Sequence, residues 1–166
     1  AKDINVNQPN EDGCTPLWMA SHEGHTDVVQ QLLTMNGIDI NKYWNATTPL
    51  QTAIEEKHIE IIQLLKDAGA TYTIKDAVAA NDMNYVQKWI TNDKEKDTKE
   101  INESLYEASS NGNIEIVKLF LTLKDIDINY SNTDGVTSLF ITCQDNCPSI
   151  VELLLQQQNI DINKPL

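Results

Sequence analysis

A chain that repeats itself at a fixed period is confined to architectures in which copies of one unit stack, and this chain repeats itself. The segment Asp12-Gly13-Cys14-Thr15-Pro16-Leu17 returns as Thr47-Thr48-Pro49-Leu50 and again as Asp134-Gly135-Val136-Thr137-Ser138-Leu139. Thr15 and Thr48 lie 33 residues apart. A second element, Gly24-His25-Thr26-Asp27-Val28-Val29 followed by Leu32 and Leu33, returns at 57–62 with Leu65, at 112–117 with Phe120 and Leu121, and at 146–151 with Leu154 and Leu155. A third element, Ile-Asp-Ile-Asn, stands at 38–41, 126–129 and 160–163, and Asp3-Ile4-Asn5-Val6-Asn7 is related to it. A unit of this size cannot bury its apolar face alone and must pack on its neighbours.

Each element has a local meaning. Thr15 is a helix N-cap, and Pro16 fits the first turn because its missing N–H would be unpaired there anyway. The short helix that follows buries Leu17 and Ala20 and closes at Gly24. A second helix starts near Asp27, whose charge suits an N-terminus. It buries Val28, Val29, Leu32 and Leu33, and Asn36-Gly37 ends it. Ile-Asp-Ile-Asn alternates apolar and polar residues, which predicts an extended arm leading into a turn. One unit is therefore helix, tight turn, helix and extended loop.

These residues resemble the ankyrin repeat family, on Asp12, Gly13, Thr15, Pro16, Leu17, Ala20, Gly24, His25, Val28, Val29, Leu32, Leu33 and Asn41. The resemblance implies an all-α solenoid of about five helix-turn-helix repeats with hairpin-like loops. The repeats fall near 3–41, 42–70, 71–99, 100–130 and 131–163 of a single domain spanning 1–166. Where the family carries a histidine after Thr-Pro-Leu, this chain has Trp18, Gln51, Tyr106 and Phe140, which puts that histidine's hydrogen bonds in doubt. The family binds other proteins through loop tips and the inner, short-helix face. Carried over by position, the contacts are Glu11, Asp12, Cys14, Trp18, His22 and Glu23 in the first unit and Tyr43, Trp44, Asn45, Glu55 and Glu56 in the second. In the fourth they are Ser110 and Asn111, and in the fifth Thr133, Asp134, Gln144 and Asp145.

The third unit is the worn copy. It keeps Ile74, Tyr85, Val86, Trp89 and Ile90 as helical faces but lacks Thr-Pro-Leu. Only 24 residues separate Lys57 from Asn81, so an arm between the second and third units is expected to be missing. Residues 92–99 are highly charged, contain no apolar residue and read as an exposed loop. Either one solenoid continues through a degenerate repeat, or two smaller stacks meet near 70–100. The chain starts inside an arm and stops after an Ile-Asp-Ile-Asn, with no polar terminal cap, which predicts a fragment of a longer array.

Charge narrows the function. The net charge is -13, and all 12 basic residues are lysine. A nucleic-acid groove needs a positive field and favours guanidinium forks, and an anionic membrane would repel this chain. No apolar run reaches the roughly 20 residues of a membrane span. The odd number of cysteines argues against a disulfide framework and for an intracellular, reducing compartment, cytoplasmic or nuclear.

No catalytic motif is present, and neither a cofactor nor a metal is expected. His22 and His25 are separated by the helix-breaking Gly24, and His25 and His58 read as turn histidines. Cys143 and Cys147 lack the second pair of a zinc ribbon, and Cys143 is placed at a small buried position. Trp44 sits where the pattern puts an arm tip. It is either an exposed binding anchor or packed on the arm of the first unit. The acidic, aromatic contact set predicts a monomeric protein-interaction module whose partner carries lysine or arginine around an apolar spot. A structural spacer of a larger protein is the alternative.

Overall fold

The structure is a computed structural model that describes residues 4–92 and 96–164. Ten helices and no strands occur among the described residues, as five successive pairs. They are α1 (Pro16–His22), α2 (Thr26–Leu33), α3 (Pro49–Glu55), α4 (Ile59–Asp67), α5 (Ile74–Ala79), α6 (Met83–Thr91), α7 (Thr98–Ser110), α8 (Ile114–Phe120), α9 (Ser138–Gln144) and α10 (Pro148–Leu155). The packing divides into two compact units, one ending at Asp76 and the other beginning at Ala77. The division falls inside α5, the first helix of the worn repeat.

The helices begin where the chemistry of their caps directs. Thr15, Thr48 and Thr137 each accept a hydrogen bond from the backbone N–H three residues on, and Pro16 and Pro49 open their helices. At Thr48 the box is reciprocal, because the Gln51 side chain accepts from the Thr48 N–H at 3.0 Å. The third unit lacks Thr-Pro but has a substitute. Asp76 accepts from the Thr73 N–H at 2.8 Å, and the Asp76 N–H donates to the Thr73 hydroxyl at 3.3 Å. This is the same two-way capping with other residues.

Every pair turns in the same way. The residue after the first helix's C-cap is left-handed, with φ of 75° at Gly24, 61° at Lys57, 53° at Asn81, 70° at Gly112 and 54° at Asn146. In four of the five turns the N–H two residues on then bonds its carbonyl, at 3.0 Å for Thr26 to Gly24 and 3.1 Å for Ile59 to Lys57. Asn81 and Gly112 accept in the same way. That is an inverse γ-turn, and it sets the second helix antiparallel to the first. Gly24 is required for a further reason. A Cβ there would lie 2.7 Å from the His58 ring, whose Nε2 reaches the His22 carbonyl at 2.9 Å. Asn113 occupies the equivalent position and donates to the Val78 carbonyl at 2.9 Å.

In the first compact unit α1 packs on α3 and α2 on α4, burying Leu17, Val29, Leu50, Ile61 and Leu65. In the second, α7 packs on α9, and α8 lies against α6 and α10, burying Leu105, Ile116, Phe120, Ile150 and Leu154. The link from α4 to α5 is only residues 68–73, so the expected missing arm is missing. The charged run departs from expectation at its end. Helix α7 begins at Thr98, where the Asp97 side chain accepts from the Lys99 N–H at 2.9 Å. Residues 93–95 of that run lie outside the described residues.

The Ile-Asp-Ile-Asn elements form turns, not strands. The Asp39 carboxylate accepts from the Asn41 N–H, Asp127 does the same for Asn129, and Asp161 for Asn163. The asparagine then clamps the next arm. Asn7 donates to the Gly37 carbonyl at 2.6 Å and accepts from the Asp39 N–H at 2.8 Å. Asn129 makes the same two bonds, to the Asn159 carbonyl and from the Asp161 N–H, both at 2.7 Å. Asn41 accepts from the Thr71 N–H at 2.9 Å. The alternation seen in sequence therefore serves side-chain bonding to backbone, which a turn needs because it has no ladder.

Candidate functional site: a carboxylate-edged aromatic row

In the first compact unit, two loop tips and the first helices of two pairs bring the contact residues together. Tip one is built on Asn10, whose side-chain oxygen accepts from the N–H groups of Asp12 at 3.1 Å and Cys14 at 2.9 Å. Tip two is tighter. Trp44 and Thr47 pair across two residues, Asn45 and Ala46, both at positive φ, 46° and 66°. That is the backbone of a type I′ turn.

The Trp44 indole N–H crosses between the tips and donates to the Asp12 carbonyl at 2.8 Å. Its ring stands edge-on to Trp18, with centroids 4.4 Å apart and planes at 76°. Trp18 stacks on His22 at 5.1 Å and 23°. The result is a row, Trp44, Trp18 and His22, running from the tips onto α1. Carboxylates edge it. His22 lies 3.9 Å from Glu23 and 3.8 Å from Glu56, and its Nδ1 is 3.2 Å from the Thr52 hydroxyl. Glu11, Asp12, Glu23, Glu55, Glu56 and Tyr43 are exposed.

The predicted residues do not all reach the surface. Trp18 and Cys14 are each 4 % exposed, so they support the row from below and offer no contact area of their own. Burial pushes the Cys14 thiol above its ordinary pKa, as expected for a cysteine acting as a small apolar group. Trp44 is half-buried, held by Asp12 and Trp18. Asn45 is exposed at the tip.

In the second compact unit, tip Asn132–Val136 repeats the geometry of tip one, with the Asn132 side chain accepting from the N–H groups of Asp134 and Val136. Thr133, Asp134, Asn111, Gln144 and Asp145 are exposed, and Ser110 is half-buried. Phe140, at 42 % exposure, is an aromatic that sequence reasoning did not assign to the surface. Burial, then the carboxylates of Glu107, Asp134 and Asp145, raise the pKa of Tyr106.

The signal that finds Phe140 is positional. It follows Thr-Ser-Leu as Trp18 and Gln51 follow Thr-Pro-Leu, and Tyr106 is the counterpart in the fourth unit. The polar members of this set reach one unit onward: Trp18 to the Thr47 hydroxyl, Gln51 to the Asp76 carboxylate, and Tyr106 to the Asn132 amide. The bonds placed in doubt by the missing histidine are thus replaced by other chemistry, and Phe140 has no polar atom with which to join in.

Cys143 corrects an expectation. It is exposed, not buried. Its counterparts Ser21 and Ser109 are fully buried. No group of three or more metal-ligating side chains occurs among the described residues.

A profile of the family described as ankyrin repeats (3 copies) matches residues 1–76 and 74–165. A putative ankyrin repeat protein of Rickettsia bellii is 40% identical over 62 residues, covering 37% of this chain and 25% of that protein. A probable 26S proteasome regulatory subunit p28 of Saccharomyces cerevisiae is 28% identical over 134 residues, 80% of this chain and 49% of its own length. Ankyrin repeat and SOCS box protein 11 of Mus musculus is 32% identical over 76 residues, 46% of this chain and 23% of that protein. The chain thus spans between about a quarter and a half of these relatives.

Proposed function

The chain belongs to the ankyrin repeat family, and from that premise we propose that it is a non-catalytic protein-interaction module using its loop tips and first-helix face. The observation that carries this reading is the row Trp44–Trp18–His22 edged by Asp12, Glu23 and Glu56. Caps, clamps and aromatic contacts hold this surface in place before binding, so little ordering cost is added on association. An apolar row between carboxylates suits a partner segment with lysine or arginine beside an apolar side chain. The half-buried Trp44 ring attracts the cation, and the carboxylates pair with it. The module acts as a monomer, without nucleic acid or cofactor, in an intracellular compartment, cytoplasmic or nuclear. Its free cysteines are compatible with that setting. No helix among the described residues is long and apolar enough to cross a membrane.

A second reading, a structural spacer within a larger protein, is favoured by one observation. Trp44 is committed to Asp12 and Trp18 and is not free at its tip. Charge reversal at Glu23 and Glu56 separates the two readings, because both carboxylates are exposed and their loss leaves the aromatic packing intact. A partner is captured from lysate, identified by mass spectrometry and measured by calorimetry. Under the interaction reading, the Glu23→Lys/Glu56→Lys protein unfolds at the wild-type temperature and binds at least about tenfold more weakly, as expected for two pairs of about 1 kcal/mol each. Unchanged affinity places the docking face away from this row, and no partner at all supports the spacer.

A further inference from the structure

Two Asn-Gly dipeptides lie in the described chain, Asn36-Gly37 after α2 and Asn111-Gly112 after α7. Glycine offers the least hindered backbone nitrogen of any residue, so an asparagine before it is the one best placed for attack on its own side chain. Both asparagines are exposed. They differ in how the reacting groups are held.

Asn111 is tied down. Its N–H bonds the Glu107 carbonyl at 2.9 Å, its carboxamide donates to the Glu107 carboxylate at 3.3 Å, and the Gly112 N–H donates to the Ser109 carbonyl at 3.2 Å. Its backbone is helical, with φ of -79° and ψ of -3°. Among the described residues, the Asn36 carboxamide and the Gly37 N–H have no hydrogen-bond partner. Gly37 sits at φ of 78° in a turn closed only by a 3.4 Å contact from the Ile38 N–H to the Met35 carbonyl. Nothing lies within 4 Å of the place its Cβ would occupy.

We infer that Asn36 is a self-modifying site, converting to aspartate and isoaspartate in the folded protein while Asn111 is protected. Base removes the Gly37 amide proton, and the nitrogen attacks the Asn36 side-chain carbonyl carbon. The C–N bond to the carboxamide nitrogen breaks, ammonia leaves, and a five-membered succinimide closes. Water opens the ring at either carbonyl. No electrons are exchanged, and the net reaction consumes one water and releases one ammonia.

The position gives the reaction a structural consequence. The Gly37 carbonyl and the Asp39 N–H are the two groups clamped by Asn7. Opening to aspartate adds one negative charge and leaves the backbone length unchanged. Opening to isoaspartate routes the chain through the side-chain carbon and inserts an extra methylene directly before Gly37. Both clamped groups lie after the insertion, which lengthens the path from α2 into Gly37 and shifts the clamped segment against Asn7, so the arm between the first two repeats loosens with age.

The test is incubation of the full chain in mildly alkaline buffer, folded and in urea, with peptide mapping and enzymatic labelling of isoaspartate. Asn36 should convert at least about tenfold faster than Asn111 in the folded protein, because breaking the Gly112 bond costs on the order of the energy of one hydrogen bond. In urea the two should converge. Equal rates in the folded protein overturn the inference, as does an Asn36 that stays intact while the unfolded chain converts. For the clamp, amide exchange at Asp39 should be fast in the isoaspartate form and slow in Asn36→Asp, which carries the charge without the extra carbon. Equal exchange in the two forms overturns the structural consequence.

Discussion

Ala46 shows how a repeat protein carries local cost for a shared geometry. Tip two needs two left-handed residues to close between Trp44 and Thr47, and the second of them is Ala46 at φ of 66°. A Cβ in that region costs roughly 1 kcal/mol, against which glycine's looser unfolded state subtracts a part. Ala46→Gly should therefore stabilise by about 0.5 kcal/mol in urea unfolding, with no change in the slope of the transition. Tyr106 carries a pH dependence of definite sign. Its pKa is raised in the folded state, first by burial, so folding favours the neutral phenol. The stability this contributes is present below the ordinary tyrosine value of about 10 and is lost as pH rises through the folded value. Tyr106→Phe should flatten the fall in melting temperature on that alkaline limb.

Among elements, the clamps matter more than the caps, because each ties two repeats rather than one helix. Asn7→Ala removes two bonds to the next arm and should cost about 1–2 kcal/mol, with faster exchange at the Asp39 amide. Helix α7 poses the opposite case. It starts at Thr98 and runs 13 residues, where α1, α3 and α9 have seven. Ser104 occupies the place that Pro16 and Pro49 hold at a helix start, yet here it lies mid-helix and fully buried. Its hydroxyl has no partner among the described residues. A buried unpaired hydroxyl is expensive, so Ser104→Ala should raise stability by about 1 kcal/mol in thermal or urea unfolding.

For the whole molecule, charge is the dominant fact. A net charge of -13 with lysine as the only basic side chain gives a field that draws basic partners and repels nucleic acid. Association with the proposed partner should slow as salt rises and the Debye length falls from about 10 Å at 0.1 M to about 3 Å at 1 M. The dissociation rate should change much less, because rim charges act chiefly on encounter. Stopped-flow measurement at several ionic strengths reads both rates, and a salt-independent association rate would count against the acidic surface as the docking face.

What the sequence determined by itself was most of what acts at short range. Thr15, Pro16, Gly24 and the apolar pair Ile61-Ile62 announce helix starts, stops and buried faces from neighbours within a few positions, whereas of the expected α2 face only Val29 is buried and Val28 is 46 % exposed. The short Lys57 to Asn81 interval fixed the missing arm by counting alone. The tertiary structure decided what depends on groups about 30 residues apart. The sequence could not tell whether Trp44 points outward or toward Asp12, and Trp18 in a contact position is in fact beneath the surface. Cys143 is exposed although its counterparts Ser21 and Ser109 are fully buried, so the position in the repeat does not by itself fix burial. The asparagine of Ile-Asp-Ile-Asn reads as ordinary loop polarity until the arm it clamps is in place. Propensity and capping act through adjacent backbone, so they are written in order along the chain. Burial and side-chain pairing are properties of what folding brings alongside.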